Sequence, residues 1–115
     1  MSVEIYHNPR CSKSRQTLQL IENRGIEPKI TRYLDTPPDE TTLEGILEML
    51  NLEPRDLMRK KEKEYEEQGL DDPSLSRKQL ISAMVECPKL IERPIVIKDG
   101  KAALGRPPEK VLEIL

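Results

Sequence analysis

The sequence predicts an α/β fold with a mixed four-stranded sheet in a single domain spanning residues 1–115. Three observations support this prediction: a β-α-β pattern in the first third, consecutive helical patterns in the middle, and a β-β-α pattern at the end. A chain of 115 residues has the length of one domain with one aliphatic core. The middle helices therefore read as an insertion between two halves of one sheet.

The first third alternates strand, helix and strand. Val3–Tyr6 alternates in side-chain character, as a short strand does, and Ser12–Asn23 has apolar residues at helical spacing before Gly25. Residues 29–34 form a second candidate strand. A strand-helix-strand crossover predicts two parallel strands.

The middle of the chain carries three helical patterns. The run "TPPDETTLEGILEML" has prolines near its start and apolar residues on one face. A second helix is predicted from Pro54 to Gly69, with its many charges on a solvated face. A third begins with a capping box of Ser76 and Gln79 and must end before Pro88.

The last third predicts a hairpin followed by a short helix. Residues 94–97 are continuously apolar, Asp99-Gly100 is a strong hairpin signal, and residues 101–104 would return antiparallel. A short helix then follows Arg106 and its two prolines.

Composition limits the function classes. The 19 basic and 21 acidic residues leave a net charge of -2, so no global field attracts nucleic acid or an anionic membrane. No apolar run has the length of a transmembrane helix, and the N-terminus lacks a signal-peptide pattern. We therefore expect a cytoplasmic monomer without a nucleic-acid or membrane partner. Two cysteines in such a protein indicate a reactive thiol rather than a disulfide framework.

Cys11 is the candidate nucleophile. The thiolate is the reactive form of cysteine, and helix N-termini and nearby cations favour it. Cys11 opens the first predicted helix, with Arg10, Lys13 and Arg15 around it in sequence. The alternative, a small apolar filler, fits poorly with such polar and basic neighbours.

Ser14 stands where a C-x-x-C motif would carry its second cysteine, so that motif cannot close a disulfide here and an outside thiol is needed. Capping the helix and hydrogen-bonding the thiolate are both open roles for Ser14. His7, the only histidine, has the two open roles of stabilising a thiolate and orienting the loop. Cys87, before Pro88, reads as structural rather than resolving.

Other familiar sites are excluded. Two cysteines and one histidine are too few for a four-ligand structural zinc site. The sixth residue after Cys11 is Thr17, so there is no C-x5-R phosphatase loop, and no P-loop motif occurs. Arg59, Arg93 and Arg106 are candidate anion ligands, because arginine offers a planar fork of donors suited to tetrahedral oxyanions.

The segments "IYHNPRCSKSRQTL", "YLDTPP", "LMRKKE", "ERPIVI" and "GRPPEKVLEIL" together resemble the glutaredoxin-dependent arsenate reductase family, ArsC-like proteins with a thioredoxin-like fold. The resemblance covers essentially the whole chain. It implies that Cys11 attacks arsenate, that the three candidate arginines hold the oxyanion, and that His7 and Ser14 tune the thiolate. It further implies a cis bond at Pro94.

The resemblance implies a reaction without a metal or bound cofactor. Cys11 would form an adduct with arsenate, glutathione would attack it as co-substrate, and glutaredoxin would resolve the mixed disulfide as arsenite leaves. Longer arsenate reductases carry a segment beyond the position of Leu115, a difference that leaves arsenate and another natural substrate both open. Two alternatives stay open: a glutathione-linked thiol transferase acting on other substrates, and a non-enzymatic thioredoxin-like regulator that binds RNA polymerase.

Overall fold

The computed structural model describes residues 2–115, and four strands within them form one mixed sheet in the order β2-β1-β3-β4. The strands are β1 (Val3–Tyr6), β2 (Lys29–Thr31), β3 (Ile95–Lys98) and β4 (Lys101–Leu104). β1 and β2 are parallel, whereas β3 is antiparallel to β1 and to β4. The predicted mixed sheet and thioredoxin-like class are confirmed.

The helical elements are α1 (Ser12–Asn23), α2 (Glu40–Leu50), α3 (Lys63–Glu67) and α4 (Arg77–Glu86), with 3-10 helices at Pro54–Leu57, Pro88–Leu90 and Pro108–Glu113. The chain divides into two compact units, which are described one at a time. The first contains residues 2–36 and 93–115 and carries the sheet, and the second contains residues 37–92. The prediction of a single domain stays a prediction.

The core of the first unit lies on the sheet face covered by α1 and the C-terminal 3-10 helix. Its buried members are aliphatic side chains from the two central strands and these two helices: Val3, Ile5, Ile21, Val96 and Val111. Each such side chain contributes about 1.5–3 kcal/mol on full burial. The strand alternation and helical spacing in the sequence therefore converge on one apolar layer.

The hairpin between β3 and β4 has the predicted turn. Asp99 and Gly100 both adopt left-handed backbone conformations, with φ of 50° and 78°. Two consecutive positive φ angles match the twist of the flanking strands, and glycine adopts them without strain. The turn fixes the register in which Ile95 pairs with Leu104.

Two predicted elements differ in extent or type. β2 ends at Thr31 instead of continuing to residue 34, because the Arg32 carbonyl accepts turn hydrogen bonds from the N–H groups of Asp35 and Thr36 at 2.9 Å each. The C-terminal helix is a 3-10 helix, with a hydrogen bond from the Lys110 N–H to the Pro107 carbonyl at 3.0 Å.

In the second unit, α4 packs against α2 and against the 3-10 helices Pro54–Leu57 and Pro88–Leu90. The predicted capping box at its start is confirmed: the Gln79 N–H donates to the Ser76 hydroxyl at 3.2 Å, and the Ser76 N–H donates to Gln79 Oε1 at 2.8 Å. Both termini of the helix thus agree with the local sequence signals.

The predicted continuous helix from Pro54 to Gly69 is wrong. The Pro54–Leu57 turn is followed by extended backbone at Met58, which forms an isolated antiparallel bridge with Ile91, and α3 begins only at Lys63. Leu57 and Met58 are both buried. Burial of two consecutive apolar residues overrides the helical propensity of the charge-rich sequence that follows.

Gly105, directly after β4, makes a close approach to α1. A Cβ at this position would lie 2.4 Å from Thr17 Oγ1 and 2.7 Å from Pro94 Cγ. The Gly105 N–H also donates to the Pro94 carbonyl at 2.9 Å. Only glycine fits this position without moving the neighbouring helix or loop.

We expect Gly105→Ala to lower the free energy of unfolding by about 1–3 kcal/mol, because the added methyl group overpacks a filled space. Urea denaturation measures this change. Gly45→Ala is the matched control: nothing lies within 4 Å of a Cβ at Gly45, which lies inside α2. That control should be neutral or stabilising. Equal losses in both variants would contradict the packing argument, and Thr17→Ala should relieve part of the Gly105→Ala defect.

Candidate active site around Cys11

Three connections of the first unit meet at one end of the sheet. Ile95 at the start of β3 pairs with Tyr6 on one side and with Leu104 on the other. The loop after β1, the Arg93-Pro94 segment before β3 and the Gly105-Arg106 segment after β4 therefore lie at the same sheet end. Four of the predicted site residues belong to these connections: His7, Cys11, Arg93 and Arg106.

Cys11 is the N-cap residue of α1, with extended backbone at φ -94° and ψ 124°. Its side chain is half-buried and forms no capping hydrogen bond. The first turn of α1 contains no acidic residue. Unpaired N–H groups and the helix dipole at this end favour negative charge, whether a thiolate or a bound oxyanion.

The loop leading to Cys11 is organised by Asn8. The buried Asn8 side chain accepts a hydrogen bond from the Arg10 N–H at 3.0 Å. The backbone carbonyl of Asn8 accepts a second hydrogen bond from the Cys11 N–H at 3.0 Å. Arg15 Nη1 donates to the Pro9 carbonyl at 2.9 Å. This role of Asn8 was not predicted, although an asparagine before a proline is a turn signal.

Ser14 connects the end of β1 to α1. Its fully buried hydroxyl lies 2.6 Å from His7 Nδ1 and accepts a hydrogen bond from the Asn8 N–H at 3.0 Å. The backbone N–H of His7 donates to the Thr31 carbonyl at 2.9 Å, so His7 itself is anchored to β2. His7, Asn8 and Ser14 therefore form one buried polar network beneath the Cys11 loop.

Burial lowers the pKa of His7 from its ordinary value of 6.5, and the positive charges of Arg32 and Arg15 lower it further, while Glu22 opposes them. The imidazole is consequently neutral at pH 7. A neutral ring supplies no positive charge to a thiolate. Of the two roles left open by the sequence, the geometry favours orientation of the loop through Ser14.

A cavity of about 180 Å³ lies beside the same loop. Its lining includes His7, Arg10 and Arg32 together with Leu34 and Asp35. Two of the lining residues are cations, Arg10 and Arg32, and Arg32 forms an exposed ion pair with Asp35 at 3.4 Å. Of these lining residues, Arg32 is the one whose charge adds to burial in lowering the pKa of His7.

Arg93 and Arg106 are brought together by the hairpin. Arg106 Nε donates to the Arg93 carbonyl at 2.9 Å, and both arginines precede cis prolines, which confirms the prediction for Pro94 and adds Pro107. Arg93 Nε is buried and has no hydrogen-bond partner among residues 2–115. A buried charged donor without a partner is unfavourable unless an acceptor binds there.

Arg59 and Cys87, two further residues singled out by the sequence, lie in the second unit. The Arg59 guanidinium forms ion pairs with Glu62 and Glu92, and neither carboxylate was predicted as its partner. Cys87 ends α4, is half-buried and, like Cys11, is a free thiol.

Within residues 2–115, no group of three or more histidine, cysteine or acidic side chains could hold a metal ion. Over the same residues, every helix is too short or too polar to cross a bilayer.

The model of the ArsC family matches residues 6–114. The chain is 51% identical over 116 residues to an arsenate reductase of Haemophilus influenzae, covering 100% of both chains. It is 57% identical over 114 residues to the Escherichia coli K12 protein named Uncharacterized protein YfgD, covering 98% of this chain and 96% of that one.

A solved structure of an arsenate reductase from Vibrio cholerae superposes with a TM-score of 0.98 at 56% identity. That alignment covers 100% of this chain and 98% of the other. The similarity therefore extends over both units of the fold.

We expect the NMR titration midpoint of the His7 imidazole to lie below 6.5, because burial and the cations disfavour the charged ring. As the only histidine, His7 gives an unambiguous signal. The unfolded chain then binds more protons, so the free energy of unfolding should fall as pH drops below 6.5. His7→Gln should lack this component. A midpoint at or above 6.5 would contradict the prediction.

Proposed function

The chain belongs to the ArsC family, and from this membership we propose that it is an arsenate reductase whose nucleophile is Cys11. Relatives named arsenate reductase that share about half of their residues with this chain support reduction of arsenate. The finer proposal, that glutathione and glutaredoxin supply the electrons, follows from the chemistry of the thiol.

One observation carries the proposal: a single thiol at a helix N-terminus shares a sheet end with two arginines, one of which has a buried donor without a partner in the described part of the chain. A tetrahedral oxyanion supplies the missing acceptor for Arg93 Nε. Arg106, held against the Arg93 carbonyl, adds a second guanidinium at the same end. Such an arrangement stabilises negative charge on the oxygens of a substrate.

The first proposed step is a condensation. The Cys11 sulfur forms a bond to the arsenic of arsenate, and one arsenate oxygen leaves as water after taking up protons. The arginines bind the remaining oxygens and orient arsenic toward the sulfur. His7 and Ser14 position the loop that carries the sulfur rather than contacting the substrate.

The second proposed step reduces arsenic. The glutathione sulfur attacks the Cys11 sulfur, the sulfur–arsenic bond breaks, and its electron pair remains on arsenic, so As(V) becomes As(III) and leaves as arsenite. Cys11 and glutathione are then joined in a mixed disulfide. Because Ser14 occupies the position of a resolving cysteine in this loop, an outside dithiol such as glutaredoxin reduces that disulfide.

We expect Cys11→Ser to abolish arsenite release in a reconstituted assay with arsenate, glutathione and glutaredoxin, because a serine hydroxyl forms no disulfide. Cys87→Ser is the matched control, since it removes the other free thiol at the end of α4, and it should retain turnover. Turnover in the Cys11 variant would overturn the mechanism. Loss of turnover in the Cys87 variant alone would assign the essential thiol to the second unit.

We expect Arg93→Lys to raise the arsenate KM about 10- to 100-fold, because lysine keeps the charge but loses the forked donors. Steady-state kinetics measures this change. Arg24→Ala, an exposed position just after α1, controls for the loss of an arginine elsewhere. A proportional loss of the free energy of unfolding and of activity would indicate a structural role for Arg93 instead.

A further inference from the structure

Arg59 is held between two carboxylates. Its Nη1 lies 2.9 Å from Glu62 Oε1, and its Nε lies 3.7 Å from Glu92 Oε1. The three side chains are only 25%, 19% and 24% exposed, respectively. Solvent screens such sheltered charges less than charges on an open surface. Both the Nε side and one Nη of the guanidinium fork therefore already face negative charge.

The backbone fixes this arrangement. The Arg59 N–H donates to the Leu90 carbonyl at 2.7 Å, and the Glu92 N–H donates to the Leu57 carbonyl at 2.7 Å. These two bonds flank the bridge between Met58 and Ile91. The segments that carry Arg59 and Glu92 are thus paired like neighbouring strands, which keeps the Glu92 carboxylate near the guanidinium.

Lys89 supports the other carboxylate from the far side. Its Nζ lies 3.6 Å from Glu62 Oε2 and 3.4 Å from Glu64 Oε2. The hydrogen bond to Glu64 raises the pKa of Lys89 above its ordinary value, and the charges of Glu64 and Glu62 raise it further. Glu62 is consequently oriented by a cation on each of its oxygens.

We propose that Glu62 and Glu92 form a carboxylate clamp that competes with tetrahedral oxyanions for Arg59. This inference rests on the proposed reductase function and on the role of arsenate ligand that the sequence resemblance implies for Arg59. A carboxylate oxygen and an arsenate oxygen are acceptors for the same N–H groups, so full engagement of the fork by an anion requires displacement of the clamp. The clamp lowers oxyanion affinity and favours dianions, which compete with a carboxylate better than monoanions do.

Glu62→Gln tests the clamp because it keeps the shape of the side chain and removes its charge. Glu62 is the N-cap residue of α3, but its side chain forms no capping hydrogen bond. The substitution therefore removes no hydrogen bond from the start of the helix. Glu66→Gln is the matched control: it removes the same charge at an exposed position on α3. Glu92→Gln provides a second variant on the other side of the guanidinium.

Arsenate is titrated calorimetrically into these variants in a Cys11→Ser background, where binding is measured without turnover. We expect the arsenate dissociation constant to fall about two- to fivefold with Glu62→Gln, and further when Glu92→Gln is added. Glu66→Gln should leave it unchanged. With Arg59→Ala also present, Glu62→Gln should have no effect, because the contested guanidinium is gone.

An unchanged or higher arsenate dissociation constant in Glu62→Gln contradicts the clamp proposal. An equal fall of the dissociation constant in the Glu66→Gln control contradicts it too, as does an equal fall when Glu62→Gln is combined with Arg59→Ala. Lack of arsenate binding in every variant overturns it as well, since release of the clamp would then have exposed no anion site. Arsenite release by the unmodified protein is assayed separately. Clamp-dependent binding without arsenite release would reject the proposed reductase activity alone.

Discussion

The candidate site depends on the hydrogen-bonded register of β3. Ile95 at the start of β3 pairs with Tyr6 at the end of β1 and with Leu104 at the end of β4. The segment before β3 and the segments after β1 and β4 therefore lie at the same end of the sheet. This pairing is what gathers a thiol and two guanidinium groups from positions far apart in sequence. A slip of one residue in either pairing would turn the inward-facing aliphatic side chains outward, so the apolar core and the site enforce the same register.

Polar side chains replace apolar ones on part of the buried face of α1. Ser14 and Thr17 are fully buried there, while Ile21, one turn further on, belongs to the aliphatic core. Ser14 is satisfied by His7 and Asn8, and the Thr17 hydroxyl donates to the Lys13 carbonyl at 2.8 Å. A satisfied polar network specifies one arrangement of its members, whereas an aliphatic contact tolerates sliding. Apolar burial of Ile21 therefore stabilises the C-terminal half of α1, while the hydrogen bonds of Ser14 position its N-terminal half.

Local signals in the sequence were sufficient to predict an element where burial in the core favoured the same local structure. The bounds of β1 and α1 and the turn at Asp99 follow from alternation, helical spacing and turn chemistry. They were insufficient at residues 54–69, where burial beside a distant segment interrupted a helical pattern. The carboxylate partners of Arg59 were also missed. Glu92 is distant from Arg59 in sequence, whereas Glu62, three residues after Arg59, would have been its neighbour in the predicted helix as well.

The tip of the hairpin lies at the opposite end of the strands from the Cys11 loop, since Lys98 pairs with Lys101 there and Ile95 pairs with Leu104 at the site. Four residues of strand separate the two ends by about 10 Å. Asp99 and Gly100 are both exposed. A fluorophore, an affinity tag or a surface linker can therefore be attached at this tip without crowding the thiol. Attachment there would immobilise the protein with its candidate site still accessible to ligands.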